Sequence, residues 1–146
     1  MKLYLDNCAI QRPLDDRRQL RIALEAEAIL GIISLIENNK IKLFSSDILK
    51  YEILKTPSIE RREYALEFLK NASSHISISD AIENKAIIFE QNGMRAMDAL
   101  HLATAVISNV DYFCTCDDKL LKTVLSLSEI KIMAGTPIDL IKEIEK

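Results

Sequence analysis

The sequence predicts an α/β protein, a three-layer α/β/α sandwich around a central parallel sheet. Short apolar runs alternate along the chain with longer segments in which apolar residues recur every three or four positions. Helix-start signals follow the short runs closely, as at Ser46 and at Thr136-Pro137. Strands that alternate with helices pair in parallel. No repeat, linker or low-complexity stretch interrupts the pattern, so we expect a single domain over residues 1–146.

Local signals justify each element. Apolar residues in 3–4 spacing between Leu20 and Ile33 predict the longest helix, and the proline within residues 7–13 predicts a loop before it. Asp80 and Glu83 match a capping box. The predicted strands are residues 2–6, 41–45, 75–79, 112–115 and 130–133, and the predicted helices are residues 14–38, 47–55, 59–71, 80–91, 96–109, 118–125 and a last one from Pro137.

Composition and cysteine usage favour a reduced cytoplasmic protein with no membrane contact. The N-terminal residues do not form a signal peptide, and no apolar run approaches the roughly 20 residues that cross a bilayer. Cys8, Cys114 and Cys116 are odd in number and contain no CxxC pair, which argues against a disulfide framework or a zinc site. We interpret them as small buried residues in a reducing cytosol.

Two aspartates stand where predicted strands end. Asp6 closes the first strand, and Asp117 follows the strand 112–115. Ligand sites of open parallel sheets form at the carboxyl ends of the strands, so these two carboxylates are expected on one rim. The alternative is a pair of turn or N-cap aspartates, which are common at strand-to-helix junctions.

Glu52 is the third acid of interest. On the predicted helix it falls between Ile48 and Leu49, which define an apolar face. A lone carboxylate on a buried face would cost several kcal/mol, on the order given for buried charges. The alternative is that this face is exposed, or that Lys50 or Lys55 pairs with Glu52.

Asp98 is the fourth acid. Residues 96–108 are nearly apolar all round, which predicts a buried helix, and Asp98 is their single formal charge. The helix dipole favours an anion in this first turn, so a simple helix-start aspartate would explain its position. His101, three residues on, is either a second ligand or a histidine held by hydrogen bonds, and we favour the latter.

Carboxylates that meet repel one another unless protons or a divalent cation neutralise them. If Asp6, Glu52, Asp98 and Asp117 converge, their oxygens suit Mg²⁺ or Mn²⁺ better than zinc. The sequence therefore predicts a hard-metal site, with hydrolysis as its most natural chemistry.

Four segments together resemble the PIN domain family of metal-dependent nucleases, over essentially the whole chain. They are LYLDNC with Asp6, SSDILKYEI with Glu52, RAMDALHLATA with Asp98, and DYFCTCDDKLL with Thr115 and Asp117. The arrangement is similar to VapC-type toxin ribonucleases and their solitary relatives. Many members have Asp-Thr/Ser-Asn/Ser at the first motif, where this chain has Asp6-Asn7-Cys8.

The resemblance implies Mg²⁺- or Mn²⁺-dependent hydrolysis of phosphodiester bonds in single-stranded RNA. Asp6, Asp98 and Asp117 would be the main metal ligands, and Glu52 would act through a water or position the attacking hydroxide. Thr115 would orient Asp117 or Asp6. The resemblance also implies a homodimer and a small antitoxin partner, as in a toxin–antitoxin pair.

Local basic clusters matter more for RNA binding than the net charge of −3. The candidate phosphate contacts are the arginines that follow Asp6 closely, namely Arg12, Arg17, Arg18 and Arg21. We interpret Arg61 and Arg62 as part of a solvated helix face.

Two other functions compete with the nuclease. One is a PIN-like RNA- or protein-binding module without catalysis, against which the intact set of four acids speaks. The other is a phosphotransferase or phosphatase with Asp6 as nucleophile, as in haloacid-dehalogenase-like enzymes. That chemistry needs a second aspartate two residues later, where this chain has Cys8.

Overall fold

A computed structural model of the chain, which covers residues 1–146, contains five strands and eight α-helices in alternation. The strands are β1 Lys2–Leu5, β2 Lys42–Ser46, β3 Ser74–Ile76, β4 Tyr112–Cys114 and β5 Met133–Gly135. The helices are α1 Asn7–Gln11, α2 Leu20–Glu37, α3 Asp47–Leu54, α4 Ile59–Leu69, α5 Asp80–Gln91, α6 Ala96–Ile107, α7 Asp118–Ser126 and α8 Pro137–Ile144. A 3-10 turn, Arg12–Leu14, follows α1.

All five strands are parallel and lie in the order β3-β2-β1-β4-β5. The chain builds the sheet outward from β1 to β3 on one side, then crosses to β4 on the other. This makes the gap between β1 and β4 the topological switch point, where ligand sites of such sheets form. Leu3 aligns with Tyr112 and Leu5 with Cys114, so the two strands end level with each other.

Helices cover the sheet, and the predicted three-layer α/β/α fold is confirmed. Leu3, Tyr4 and Leu5 are completely buried at the centre of the main hydrophobic core. Helix α6 packs against α3 and α5, whereas α2 packs against α8. No helix combines the length and the apolar character that a membrane span requires.

The helix caps follow the sequence signals with one exception. The Ser46 hydroxyl accepts a hydrogen bond from the Leu49 N–H at 3.0 Å, and Thr136 forms a capping box ahead of α8. The expected capping box at Asp80 is wrong, because the preceding Ser79 caps α5 instead and accepts from the Ile82 N–H.

Four elements differ from the sequence prediction, and one of them is strand β3, which covers Ser74–Ile76 rather than 75–79. Residues 7–13 are not a loop, since the capped helix α1 occupies most of them and the proline lies in the 3-10 turn. Helix α2 begins at Leu20 rather than at residue 14. Strand β5 lies at 133–135 rather than 130–133, because its pairing partner is β4, with Met133 opposite Tyr112. Pairing between strands, and not apolar content alone, decides where such short strands begin.

Candidate active site at the ends of β1 and β4

Asp6 and Asp117 leave the sheet on either side of the switch point. The Asp6 N–H donates to the Cys114 carbonyl at 3.1 Å, which fixes the end of β1 against the end of β4. Each aspartate also caps the helix that follows: Asp6 Oδ1 accepts from the Ala9 N–H, and Asp117 Oδ1 from the Leu120 N–H, both at 3.1 Å. The capping interpretation is therefore correct, and it leaves both carboxylates on the rim.

Thr115 supports this turn, as expected of a residue that orients an acid. Its hydroxyl accepts from the Asp117 N–H at 3.0 Å and lies 3.6 Å from Cys8 Sγ. The Cys8 thiol donates in turn to Asp6 Oδ1 at 2.9 Å. Cys8, which the sequence marked only as a departure from the family pattern, thus connects the two rim segments.

Asp6 is the most buried of the four acids, with 6% of its surface exposed. Burial raises the pKa of Asp6 well above its ordinary value, because a carboxylate loses hydration inside the protein. The protonated acid is therefore favoured unless a nearby positive charge offsets the lost hydration.

Glu52 is held from behind by a chain of buried hydrogen bonds. Its Oε1 lies 3.1 Å from His101 Nε2, His101 Nδ1 lies 2.7 Å from the Tyr4 hydroxyl, and that hydroxyl lies 2.9 Å from Ser46 Oγ. An ionised Glu52 can only accept, so His101 donates from Nε2 and accepts the Tyr4 hydroxyl proton at Nδ1. Both ring nitrogens of His101 are therefore hydrogen-bonded. This matches the interpretation that we favoured from the sequence, a histidine held by hydrogen bonds.

Neither lysine proposed for Glu52 pairs with it. The partner of Glu52 is His101, and the Lys55 ammonium lies over the Tyr51 ring instead, 4.5 Å from its centroid. Glu52 is partly buried rather than enclosed. The side chain therefore faces both the hydrogen-bond chain and the surface.

Asp98 and Asp117 are bridged by an arginine that the sequence analysis did not single out. Arg95 Nε lies 3.2 Å from Asp98 Oδ2, and Arg95 Nη2 lies 3.3 Å from Asp117 Oδ2. Its side chain is 73% exposed. The signal was present in the sequence, because Arg95 opens the RAMDALHLATA segment three residues before Asp98, a spacing that allows contact at a helix start.

The four acids do not surround one common point, and only Asp98 and Asp117 share a partner. Glu52 turns to His101, Asp98 and Asp117 turn to Arg95, and Asp6 turns to its cap and to Cys8. No group of three or more His, Cys, Asp or Glu side chains is arranged to hold a metal ion. The predicted single notch is thus not preassembled, because each carboxylate has a nearer hydrogen-bond donor.

The arginines expected to contact phosphate are engaged elsewhere, so that assignment is not supported. All four pair with carboxylates: Arg12 with Asp15 and Glu25, Arg17 with Glu27, Arg18 with Asp16, and Arg21 with Glu25 and Asp118. Arg61 also pairs with Asp15, so it is more than a solvated helix residue.

A cleft of about 520 Å³ opens beside the acids. Cys8 and Glu52 form its border with the acid site, and Asn7, Lys55 and Thr56 are among its other lining residues. Almost all of the lining side chains are polar or charged. The cleft therefore suits a polar, extended ligand better than an apolar one.

Comparison with solved structures agrees with this architecture. The chain resembles VapBC2 from Rickettsia felis, crystallised bound to a DNA fragment from its promoter, with a TM-score of 0.60 and 15% identity over 93% of this chain and 98% of that one. It also resembles PAE2754 from Pyrobaculum aerophilum, with a TM-score of 0.57 and 12% identity over 99% of this chain and 90% of that one. No protein-family model and no curated protein matches. The fold is PIN-like, as the sequence resemblance predicted.

Proposed function

We propose that the protein is a Mg²⁺- or Mn²⁺-dependent endoribonuclease that hydrolyses single-stranded RNA. The observation that carries the proposal is the position of Asp6 and Asp117 at the neighbouring ends of β1 and β4 in a PIN-like sheet, with Asp98 linked to Asp117 through a single exposed guanidinium. Oxygen donors and an excess of negative charge are what these hard cations select. The donor set therefore fits such a metal in its chemistry.

Asp6, Asp98 and Asp117 would hold the cation, and Thr115 would keep Asp117 on the rim through its backbone contact. When bound, a divalent cation lowers the pKa of a coordinated water and offsets the charge that develops on the phosphate. The contact with His101 fixes Glu52 through Oε1, which leaves Oε2 without a protein hydrogen bond. Glu52 Oε2 would orient the attacking water and accept its proton.

The polar cleft beside Glu52 supports a nucleic-acid substrate. Glu52 lines it, and the Lys55 ammonium, which also lines it, forms no ion pair with any carboxylate. A single strand can place its backbone along such a polar groove. We expect Lys55 to contact a phosphate next to the scissile one.

The test is cleavage of a labelled single-stranded RNA oligonucleotide by the wild type and by the Asp6→Asn and Asp98→Asn variants. We expect kcat/KM to fall at least about 100-fold in each variant, since each loses a metal ligand. Asp80→Asn is the matched control, because Asp80 is an exposed acid in the first turn of α5, as Asp98 is in the first turn of α6. Cleavage at the wild-type rate by either site variant at matched Mg²⁺ contradicts the proposal.

A binding module without catalysis is the second candidate, favoured by the absence of a preassembled three-ligand group. Calorimetric titration with Mn²⁺ separates the two functions. The nuclease requires Mn²⁺ binding that Asp98→Asn weakens strongly. A binding module would take up no Mn²⁺, and its RNA affinity would not depend on Asp98.

The proposal includes two protein partners, a small antitoxin and a second copy of this chain. The likeness to a VapBC protein supports a small antitoxin that covers the acids, with this chain as the toxin of the pair. We also propose a homodimer, for which the exposed Leu20 and Leu24, one turn apart on α2, offer apolar surface. Light scattering of the purified chain tests the dimer, and a monomer at micromolar concentration would exclude it.

A further inference from the structure

Arg95 makes weaker structural contacts than the other arginines near the site. It is the residue before α6, and its side chain makes no capping hydrogen bond. Each of its two carboxylate contacts uses one nitrogen, at 3.2 and 3.3 Å, and most of the side chain is in solvent. Exposed, singly bonded ion pairs contribute little to stability, so Arg95 can leave both acids at small cost.

The position of Arg95 conflicts with metal binding. Its guanidinium contacts Oδ2 of both Asp98 and Asp117, and a cation shared by these carboxylates would need oxygens on the same side. A guanidinium and a divalent ion that neutralise the same two carboxylates repel each other. The two occupants therefore exclude one another, at least in the orientation that Arg95 adopts.

We propose that Arg95 is an exchangeable occupant of the acid site that becomes an RNA phosphate contact. In the free protein it bridges Asp98 and Asp117, and a bound divalent cation displaces it. The released guanidinium would then be free to donate to a phosphate oxygen of the substrate through its planar N–H groups. This inference rests on the proposed nuclease function and assigns the arginine that holds the substrate.

The turn before Arg95 keeps its side chain at the surface, away from other packing contacts. The turn before Arg95 contains Gly93, whose φ of 95° is a conformation that side-chain-bearing residues rarely adopt. This turn places Arg95 at the surface, where its side chain is mostly in solvent. Arg21 provides the contrast, because both of its terminal nitrogens bond the Asp118 carboxylate and it also pairs with the buried Glu25.

Calorimetry with Mn²⁺ alone tests the exchange on wild type, Arg95→Gln and a control, Arg18→Gln. Arg18 is also exposed and paired with one acid, Asp16, so the control removes an equal charge away from the site. We expect Arg95→Gln to bind Mn²⁺ about threefold to fivefold more tightly than wild type, the gain that release of an exposed ion pair allows. Arg18→Gln should bind as wild type does.

Kinetics at saturating Mn²⁺ test the phosphate contact. We expect Arg95→Gln to raise KM for the RNA oligonucleotide about tenfold or more, with a smaller change in kcat, because a binding contact is lost. An unchanged KM would overturn the substrate contact. Unchanged or weaker Mn²⁺ affinity in Arg95→Gln would overturn the exchange.

Failure of this inference is distinguishable from failure of the nuclease. If Asp98→Asn weakens Mn²⁺ binding while Arg95→Gln matches wild type, the metal site stands and the exchange is wrong. If wild type itself binds no Mn²⁺, the proposed function and the exchange are overturned together.

Discussion

Two acid-rich regions lie close together in this protein, and they differ in how many arginines neutralise their carboxylates. In the first, which we call the arginine network, three carboxylates meet three guanidiniums; its members are Asp15, Glu25, Asp118, Arg12, Arg21 and Arg61. In the second, the acid site, a single arginine serves two of the four carboxylates, because Arg95 pairs with Asp98 and Asp117, whereas Asp6 and Glu52 pair with no arginine or lysine. The charges of the arginine network stabilise the fold, whereas those of the acid site are the ones that we propose bind a ligand.

Glu25 is the centre of the arginine network. Its side chain is 1% exposed, and its oxygens lie 3.0 Å from Arg12 Nη2 and 3.5 Å from Arg21 Nη2. These contacts are ion pairs without well-aligned hydrogen bonds. They join α2 to the 3-10 turn and, through Arg21 and Asp118, to α7. A buried carboxylate is tolerated here because matching cations are built into the chain.

The acid site has no comparable set of cations built into the chain. Hydrogen bonds from neutral groups take the place of cations: His101 for Glu52, and Cys8 and a backbone N–H for Asp6. Such donors orient a carboxylate without cancelling its charge. The remaining negative charge is therefore available to an external cation, which is what the proposed function requires.

The largest effect is expected from Glu25→Gln. This substitution removes the buried carboxylate shared by Arg12 and Arg21, which leaves each arginine with one exposed or partly exposed acid, and it should lower the free energy of unfolding by about 3 kcal/mol. At this chain length that is a fall in Tm of about 10 °C. Thermal melts followed by circular dichroism measure it.

Glu27→Gln is the matched control on the same helix, since Glu27 is exposed and pairs only with Arg17. It should change the free energy of unfolding by less than about 0.5 kcal/mol. Equal effects of the two substitutions would show that the arginine network does not depend on Glu25.

A middle-sized effect is expected from Tyr4→Phe. The hydroxyl joins His101 Nδ1 to Ser46 Oγ, and its loss leaves buried polar atoms without a partner. The cost should be about 1–2 kcal/mol. Tyr64→Phe is the control, because the hydroxyl of this partly buried tyrosine makes no hydrogen bond to protein. Urea unfolding of both variants measures the difference, and equal midpoints would contradict a structural role for the chain behind Glu52.

The smallest effect, and one of opposite sign, is expected from Asp6→Asn in the presence of a chelator. Burial raises the pKa of Asp6, so the folded protein keeps this proton to higher pH than the unfolded chain does. The carboxyl costs no stability below the unfolded value of about 3.9, and it lowers stability increasingly as pH rises through the folded-state pKa. Asn keeps the capping acceptor, so Asp6→Asn should raise Tm by a few degrees at pH 7 and lose this advantage at acidic pH.

Asp118→Asn is the counterpart in the arginine network. The contact with Arg21 lowers the pKa of Asp118, so its ionised form stabilises the fold above a pH of about 3.9, and this stabilisation is lost as pH falls through the folded-state pKa. Its removal should lower Tm slightly at pH 7. Parallel melts between pH 3 and 8 compare the two variants, and a shift of the same sign in both would contradict the distinction between the regions.

Local sequence was sufficient for the fold class and for several turns. Ser46 and Thr136 cap helices as their positions predicted, because a cap needs only the backbone of its own helix. The order of apolar runs and helices likewise predicted a parallel sheet. The errors at residues 7–13 and at β5 arose where a side-chain cap and a partner strand decided the structure.

The identity of the rim acids was present in the sequence, but their partners were not. Arg12, Arg21 and Arg95 are all arginines within reach of acids, and composition does not distinguish them. Arg21 and Asp118 are 97 residues apart, and only the fold brings them together.

What sequence alone established is the succession of strands and helices along the chain, because periodicity and caps act over a few residues; the PIN-like architecture was implied by the resemblance of four segments and is confirmed by the fold, and the site formed by the four acids stays a prediction. Tertiary structure decided which carboxylates are neutralised from within, which remain in excess, and that Arg95 lies between Asp98 and Asp117. Electrostatic pairing depends on distances between side chains that are remote along the chain, and those distances exist only after folding.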